Sequence, residues 1–184
     1  LVLQTNDDKS FHIIDGQQRF TTVTILILAS IKCIKTFVEN GVESEDNQQR
    51  IDSLLHTYIG NKDSVTLVYD NILVLNRNND AYFRDYIVKL EELRVRNLKV
   101  SEKLMKQCFE FFEQRLRGRY ESGKDYARFI QTVVDRLYFT QIVVNDEMNA
   151  FRVFETLNAR GVQLSSSDLL KNYLFSLVDK NSSH

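Results

Sequence analysis

Cysteine, histidine, proline and tryptophan are scarce or missing in this chain of 184 residues, and the scarcities narrow what it can be. The two cysteines, Cys33 and Cys108, lie far apart in apolar, helix-like patterns. They read as core thiols in a reducing compartment, which excludes a disulfide framework and a metal knuckle. The three histidines, His12, His56 and His184, cluster with neither acids nor cysteines. His12 reads as a strand residue rather than a catalytic one. Proline and tryptophan are absent altogether. The formal net charge is only -1, so no chain-wide field draws in nucleic acid or membrane, and any anion site must be local. No signal-peptide pattern opens the chain. The most apolar run, Val23 to Ile34, is too short to span a bilayer and carries Lys32. It reads as a buried core helix of a cytoplasmic protein with no membrane partner. Internal repeats and low-complexity segments are also lacking.

What is present is an ordinary globular composition, 43% hydrophobic and 27% charged. Length and pattern point to a single domain over 1–184. The chain opens at Leu1 directly inside a strand-like run, so the domain is expected to be truncated at its N-terminus and to continue past its C-terminal end. LVLQ and FHIID flank the polar loop TNDDKS and predict a hairpin. A helix is expected from Gln17 to Val38, on the spacing of Phe20, Val23, Ile27, Ile31, Ile34 and Val38. A shorter helix follows over 48–58, a strand at VTLVY (65–69) and a helix over 76–90. Residues 100–117 predict an amphipathic helix with Leu104, Cys108, Phe111, Phe112 and Leu116 inward. Gly118 and Gly123 bracket a turn before a helix from Asp125 to Leu137. FTQIVVN (139–145) predicts a strand, and helices are expected over 147–158 and 168–178. The sum is a helix-rich α+β domain.

Two segments carry candidate chemistry. The first is DGQQR, Asp15 to Arg19, between the second strand and the long helix. A strand, a tight turn and a helix start present free backbone N–H groups to an anion. Gly16 permits the turn and close approach. Gln17 and Gln18 offer amides, Arg19 a planar fork for phosphate oxygens, and Thr21 and Thr22 hydroxyls. Asp15 can accept from a ribose or water, or hold Mg2+ with a phosphate. A simpler reading makes Asp15 an N-cap with Gln18 three residues on, in capping-box spacing. That leaves Arg19 unexplained, because a helix start disfavours a cation.

The second segment runs from Asn158 to Lys171. Gly161 reads as a left-handed helix terminator, and Ser165 to Asp168 as a capping box. Asp168 and Lys171 share a helix face and can simply pair. Asn158 and Arg160 are left over. A third feature, Arg94 to Arg119, holds eight Lys or Arg against three acids. It could touch a nucleic-acid backbone, but a solvated helix face accounts for it as well.

Together the first two segments resemble the N-terminal domain of GmrSD-type modification-dependent restriction endonucleases. DGQQR stands intact at Asp15, Gly16, Gln17, Gln18 and Arg19, followed by the family's Thr-Thr in Thr21 and Thr22. The second hallmark matches at Phe154, Leu157, Asn158, Gly161, Leu164, Asp168, Leu169 and Lys171. LVLNRNNDAYFRDYI between them resembles a further family segment. The resemblance implies a small strand and hairpin element of ParB/sulfiredoxin-like type packed with a helical bundle. It implies a nucleoside triphosphate with Mg2+ as cofactor, and NTP hydrolysis that controls a nuclease in antiphage defence. Carried over, Arg19 stabilises phosphate charge, Gln17 and Gln18 orient phosphate or water, and Asp15 handles metal or water. Gly16, Thr21, Thr22, Asn158, Arg160, Gly161, Asp168 and Lys171 contact the nucleotide. The implied partners are a C-terminal or separate nuclease domain and, in the full-length system, DNA; a homo-oligomer is left open. The family's upstream Arg- and Trp-containing segment has no match here. With no proline there is no His-x-x-x-Pro nuclease motif, so nuclease chemistry is not expected in this chain. The alternative is a non-catalytic nucleotide- or DNA-sensing module that signals to a separate nuclease domain.

Overall fold

The computed structural model describes residues 1–5, 10–65, 69–90 and 92–145, with 149 and 153. The chain divides into two compact units, Leu1–Gln17 with Phe139–His184, and Gln18–Tyr138.

The first unit is built on a three-stranded sheet in the order β2-β1-β5. Strands β1 (Val2–Gln4) and β2 (His12–Asp15) form the expected antiparallel hairpin, and β5 (Ile142–Val144) pairs in parallel with β1. Val2 is opposite both Asp15 and Ile142, so β2 ends at the edge of the sheet where β1 and β5 begin. Val2 and Leu3 are buried. The backbone of Leu1 ties this edge together: its amino group donates to the Thr140 carbonyl, and its carbonyl accepts from the Ile142 N–H.

The second unit is helical. Helix α1 (Gln17–Glu39) forms where its apolar run was expected. By length and composition it is apolar enough to cross a membrane, longer than the run Val23 to Ile34 suggested. Its apolar side is core instead: Ile25, Leu28, Ile31 and Ile34 are at most 1% exposed. Each such side chain contributes about 1.5–3 kcal/mol by leaving water. The same core takes Ile51, Leu54 and Leu55 from α2 (Ser44–Tyr58) and Tyr126 and Ile130 from α5 (Gly123–Arg136). Lys32, midway along α1, donates to the Leu90 carbonyl at 3.0 Å. Leu90 is buried at a positive φ of 56°, so a cation in an apolar helix holds a strained carbonyl in place.

Four expectations need correction. Helix α2 starts at Ser44, not residue 48, because the left-handed Glu43 turns the chain earlier. Of the strand expected at 65–69, residues 66–68 lie outside the described residues, Val65 is in a turn, and Tyr69 opens β4 (Tyr69–Asn71), which pairs with an unforeseen β3, Gly60–Lys62. The helix expected over 76–90 is one turn, α3 (Asp80–Tyr82), that widens into a π-helix over Phe83–Val88. The wider coil buries Phe83, Ile87 and Val88 together. Helix α4 (Val100–Leu116) faces inward with Met105, Phe109 and Leu116, while Leu104 and Phe111 point to solvent. Its buried acid, Glu102, accepts from the Lys99 N–H at 2.8 Å and so satisfies the helix start. Of the helix expected over 147–158 only Asn149 and Val153 are described, both helical, and 168–178 lies outside the described residues.

Gly123 sits where α1, α2 and α5 meet. A β-carbon there would collide with Oδ1 of Asn47 and reach Ile34 Cγ2 at 3.2 Å. Asn47 cannot swing away cheaply. It is 1% exposed, donates to the Val42 carbonyl at 2.9 Å and accepts from Arg50 at 2.7 Å. Gly123→Ala is expected to destabilise the chain by about 1–3 kcal/mol in urea unfolding. A loss below ~0.5 kcal/mol contradicts this packing.

Both thiols are held above their ordinary value, chiefly by burial; for Cys33 a hydrogen bond with Tyr126 works the other way. Folding therefore favours the neutral thiols. That contribution is complete below the unfolded thiol pKa of about 8.5 and is lost as the pH rises through the folded value. Urea stability is expected to fall more steeply above about pH 8.5 in the wild type than in a Cys33→Ala/Cys108→Ala variant. Identical slopes contradict it.

Candidate functional site

The DGQQR turn is shaped by the strand before it. Val2 pairs with Asp15 and Leu3 with Ile13, so Ile14 is the extra residue of a β-bulge. Bulges re-aim the chain and are common beside functional sites. Gly16 follows, buried and at φ 107°, a backbone state that residues with a β-carbon rarely adopt. An added Cβ would also collide with the Leu1 side chain. Gly16 is thus demanded twice by the local fold.

Helix α1 begins at Gln17, which puts Gly16 in the cap position and Asp15 in the strand. The capping box read on Asp15 and Gln18 is therefore out of register by one residue. Gln17 folds back, donating from Nε2 to the Ile13 carbonyl at 2.8 Å. Thr22 Oγ1 donates to the Gln18 carbonyl at 2.7 Å, one turn along. Gln18, Arg19 and Thr22 are exposed on the opening turns of α1, and Asp15 and Thr21 are half-buried. No acidic residue stands in the first turn of α1. The chain passes from the first unit to the second inside this motif, between Gln17 and Gln18.

Asn158, Arg160, Gly161, Asp168 and Lys171 lie outside the described residues. Among the described residues no three His, Cys, Asp or Glu side chains group as a metal site. The cations of the basic segment are largely engaged. Lys106 pairs with Glu110, Arg117 with Glu113 at 2.8 Å, and Lys99 Nζ reaches the Asn78 carbonyl at 3.3 Å. Arg115 covers the Phe111 ring, 5.1 Å from its centroid. Sequence reasoning did not anticipate two structural partners of the turn, the Leu1 side chain and the Ile13 carbonyl. No local pattern announces them, because both depend on the bulged pairing.

The family model described as "GmrSD restriction endonuclease, N-terminal domain" matches residues 1–175. The chain belongs to this family. Neither a curated protein nor a solved structure matches it. As a GmrSD N-terminal domain it is part of a restriction system, and the match spans both motifs and the segment between them. Its architecture is helix-rich α+β with a small sheet.

Gly16→Ala tests the turn. The strained φ and the crowding against Leu1 are expected to cost about 1–3 kcal/mol by urea unfolding. An alanine variant as stable as the wild type would show that the turn is built differently.

Proposed function

We propose that this GmrSD N-terminal domain is a nucleotide-binding, NTP-hydrolysing regulatory domain of a bacterial modification-dependent, antiphage restriction system, acting in the cytoplasm with a separate nuclease domain and, in the full-length system, DNA. The observation that carries the reading is the placement of Arg19. An exposed guanidinium stands on the first turn of a long helix that has no acid there, directly after a bulged strand and a glycine at positive φ. Backbone dipoles make that helix end positive, and Arg19 adds a cation to it, so the turn as a whole favours an anion. A phosphate chain suits both the N–H groups and the planar fork.

In this reading the backbone N–H groups of the first turn meet phosphate oxygens and Arg19 offsets charge on the phosphoryl group being transferred. Gln18 and the Thr21 and Thr22 hydroxyls orient phosphate or water. Gln17 adds to this while bracing the turn through Ile13. Asp15 is the motif's one carboxylate. Mg2+ often binds through one or two carboxylates plus phosphates and waters, so the residues fit a metal that enters with the nucleotide. Asn158, Arg160, Gly161, Asp168 and Lys171 complete the nucleotide contacts, on the family pattern.

The test is phosphate release from the four common NTPs with Mg2+, comparing the full-length protein that carries this domain with its Arg19→Ala variant. The variant is expected to be slower by about 100-fold or more. Equal rates sink the proposal. A nucleotide-induced rise in melting temperature that persists for hours without phosphate release marks the alternative, a non-catalytic sensing module.

A further inference from the structure

Helix α4 leaves an apolar stripe in solvent. Val100 is 76% exposed, Leu104 61% and Phe111 50%, while the opposite side of the same helix is buried through Met105, Phe109 and Leu116. Val100, Leu104, Gln107 and Phe111 follow a four-three-four spacing, the seam of a heptad pattern. The Arg115 guanidinium over the Phe111 ring holds that side chain on the seam.

We propose that this stripe is a self-association surface, on which α4 packs antiparallel against α4 of a second copy of the chain. The flank of the stripe argues for a second copy rather than an unrelated partner. Lys103 and Glu110 occupy the same heptad position, seven residues apart, on one side of the seam, and both are exposed. In an antiparallel pair, equivalent flanks face each other across the two-fold axis. Lys103 of one copy then meets Glu110 of the other, and the contact occurs twice. In the same register Phe111 seats against Val100 and Leu104 against Gln107. Glu110 also has Lys106 of its own helix, and a carboxylate has acceptor sites for both. One helix of 17 residues per copy is a small contact, so the dimer is weak, with a Kd in the micromolar range or above.

Sedimentation velocity on the full chain, from about 5 to ~300 μM, reads the equilibrium. The wild type is expected to shift from monomer to dimer with concentration. Leu104→Ser, at an exposed position, is expected to remain monomeric throughout. Lys103→Glu sets Glu against Glu and is expected to raise Kd about tenfold, and Lys103→Glu/Glu110→Lys to restore it to within about threefold. The charge swap decides the case even if Leu104→Ser misfolds. A wild type that stays monomeric means that something else covers the stripe, and overturns the proposal. So does a dimer indifferent to Leu104→Ser, or a double swap that fails to restore pairing.

Discussion

The helical unit depends on the burial of one side of α1. Ile25, Leu28, Ile31 and Ile34 have essentially no contact with water, and α2, α5 and the π-helical segment contribute side chains to the same core. Other features follow from fitting around that side. Gly123 is bare because Asn47 and Ile34 leave no room for a β-carbon. Leu90 tolerates a positive φ where Lys32 holds its carbonyl. Tyr126, buried against this core, donates its hydroxyl to the Leu116 carbonyl where α4 ends.

The sheet unit imposes a separate constraint. A bulge at Ile14, a strained glycine and the Leu1 side chain together set how the chain leaves β2. None of these needs a ligand, and they account for Gly16 and for part of Gln17. Arg19 on the first turn of the helix and the family pattern, not the glycine, motivate the proposed phosphate.

Much of this was legible in the residues. The polar loop TNDDKS between the strand-like runs LVLQ and FHIID announced the hairpin, helical spacing of apolar residues announced α1 and α4, and the turn between Gly118 and Gly123 marked the start of α5. DGQQR was legible as a strand-turn-helix junction from the apolar run before it and the helical pattern after it. The failures share a cause: local pattern was ambiguous and tertiary neighbours decided. In α4 apolar residues occur all round the helix, and the core chose Met105 and Phe109 over Leu104 and Phe111. The π-helix arises because Phe83, Ile87 and Val88 must all reach one core, which a regular coil would spread over different faces. Asp15 looked like a cap because Asp-x-x-Gln fits one, but pairing with Val2 keeps it in the strand. Strand β3, GNK, has no apolar alternation to announce it; its pairing with β4 alone defines it.

The central claim is that the turn from Asp15 to Thr22 seats a nucleotide's phosphates. Backbone amide chemical shifts of the labelled chain, followed while a magnesium-nucleoside triphosphate is titrated in, test it most directly. The account predicts saturable shifts concentrated at Gly16, Gln17, Gln18 and Arg19, and their loss in Arg19→Ala. Saturable shifts elsewhere with these four amides unmoved would contradict it.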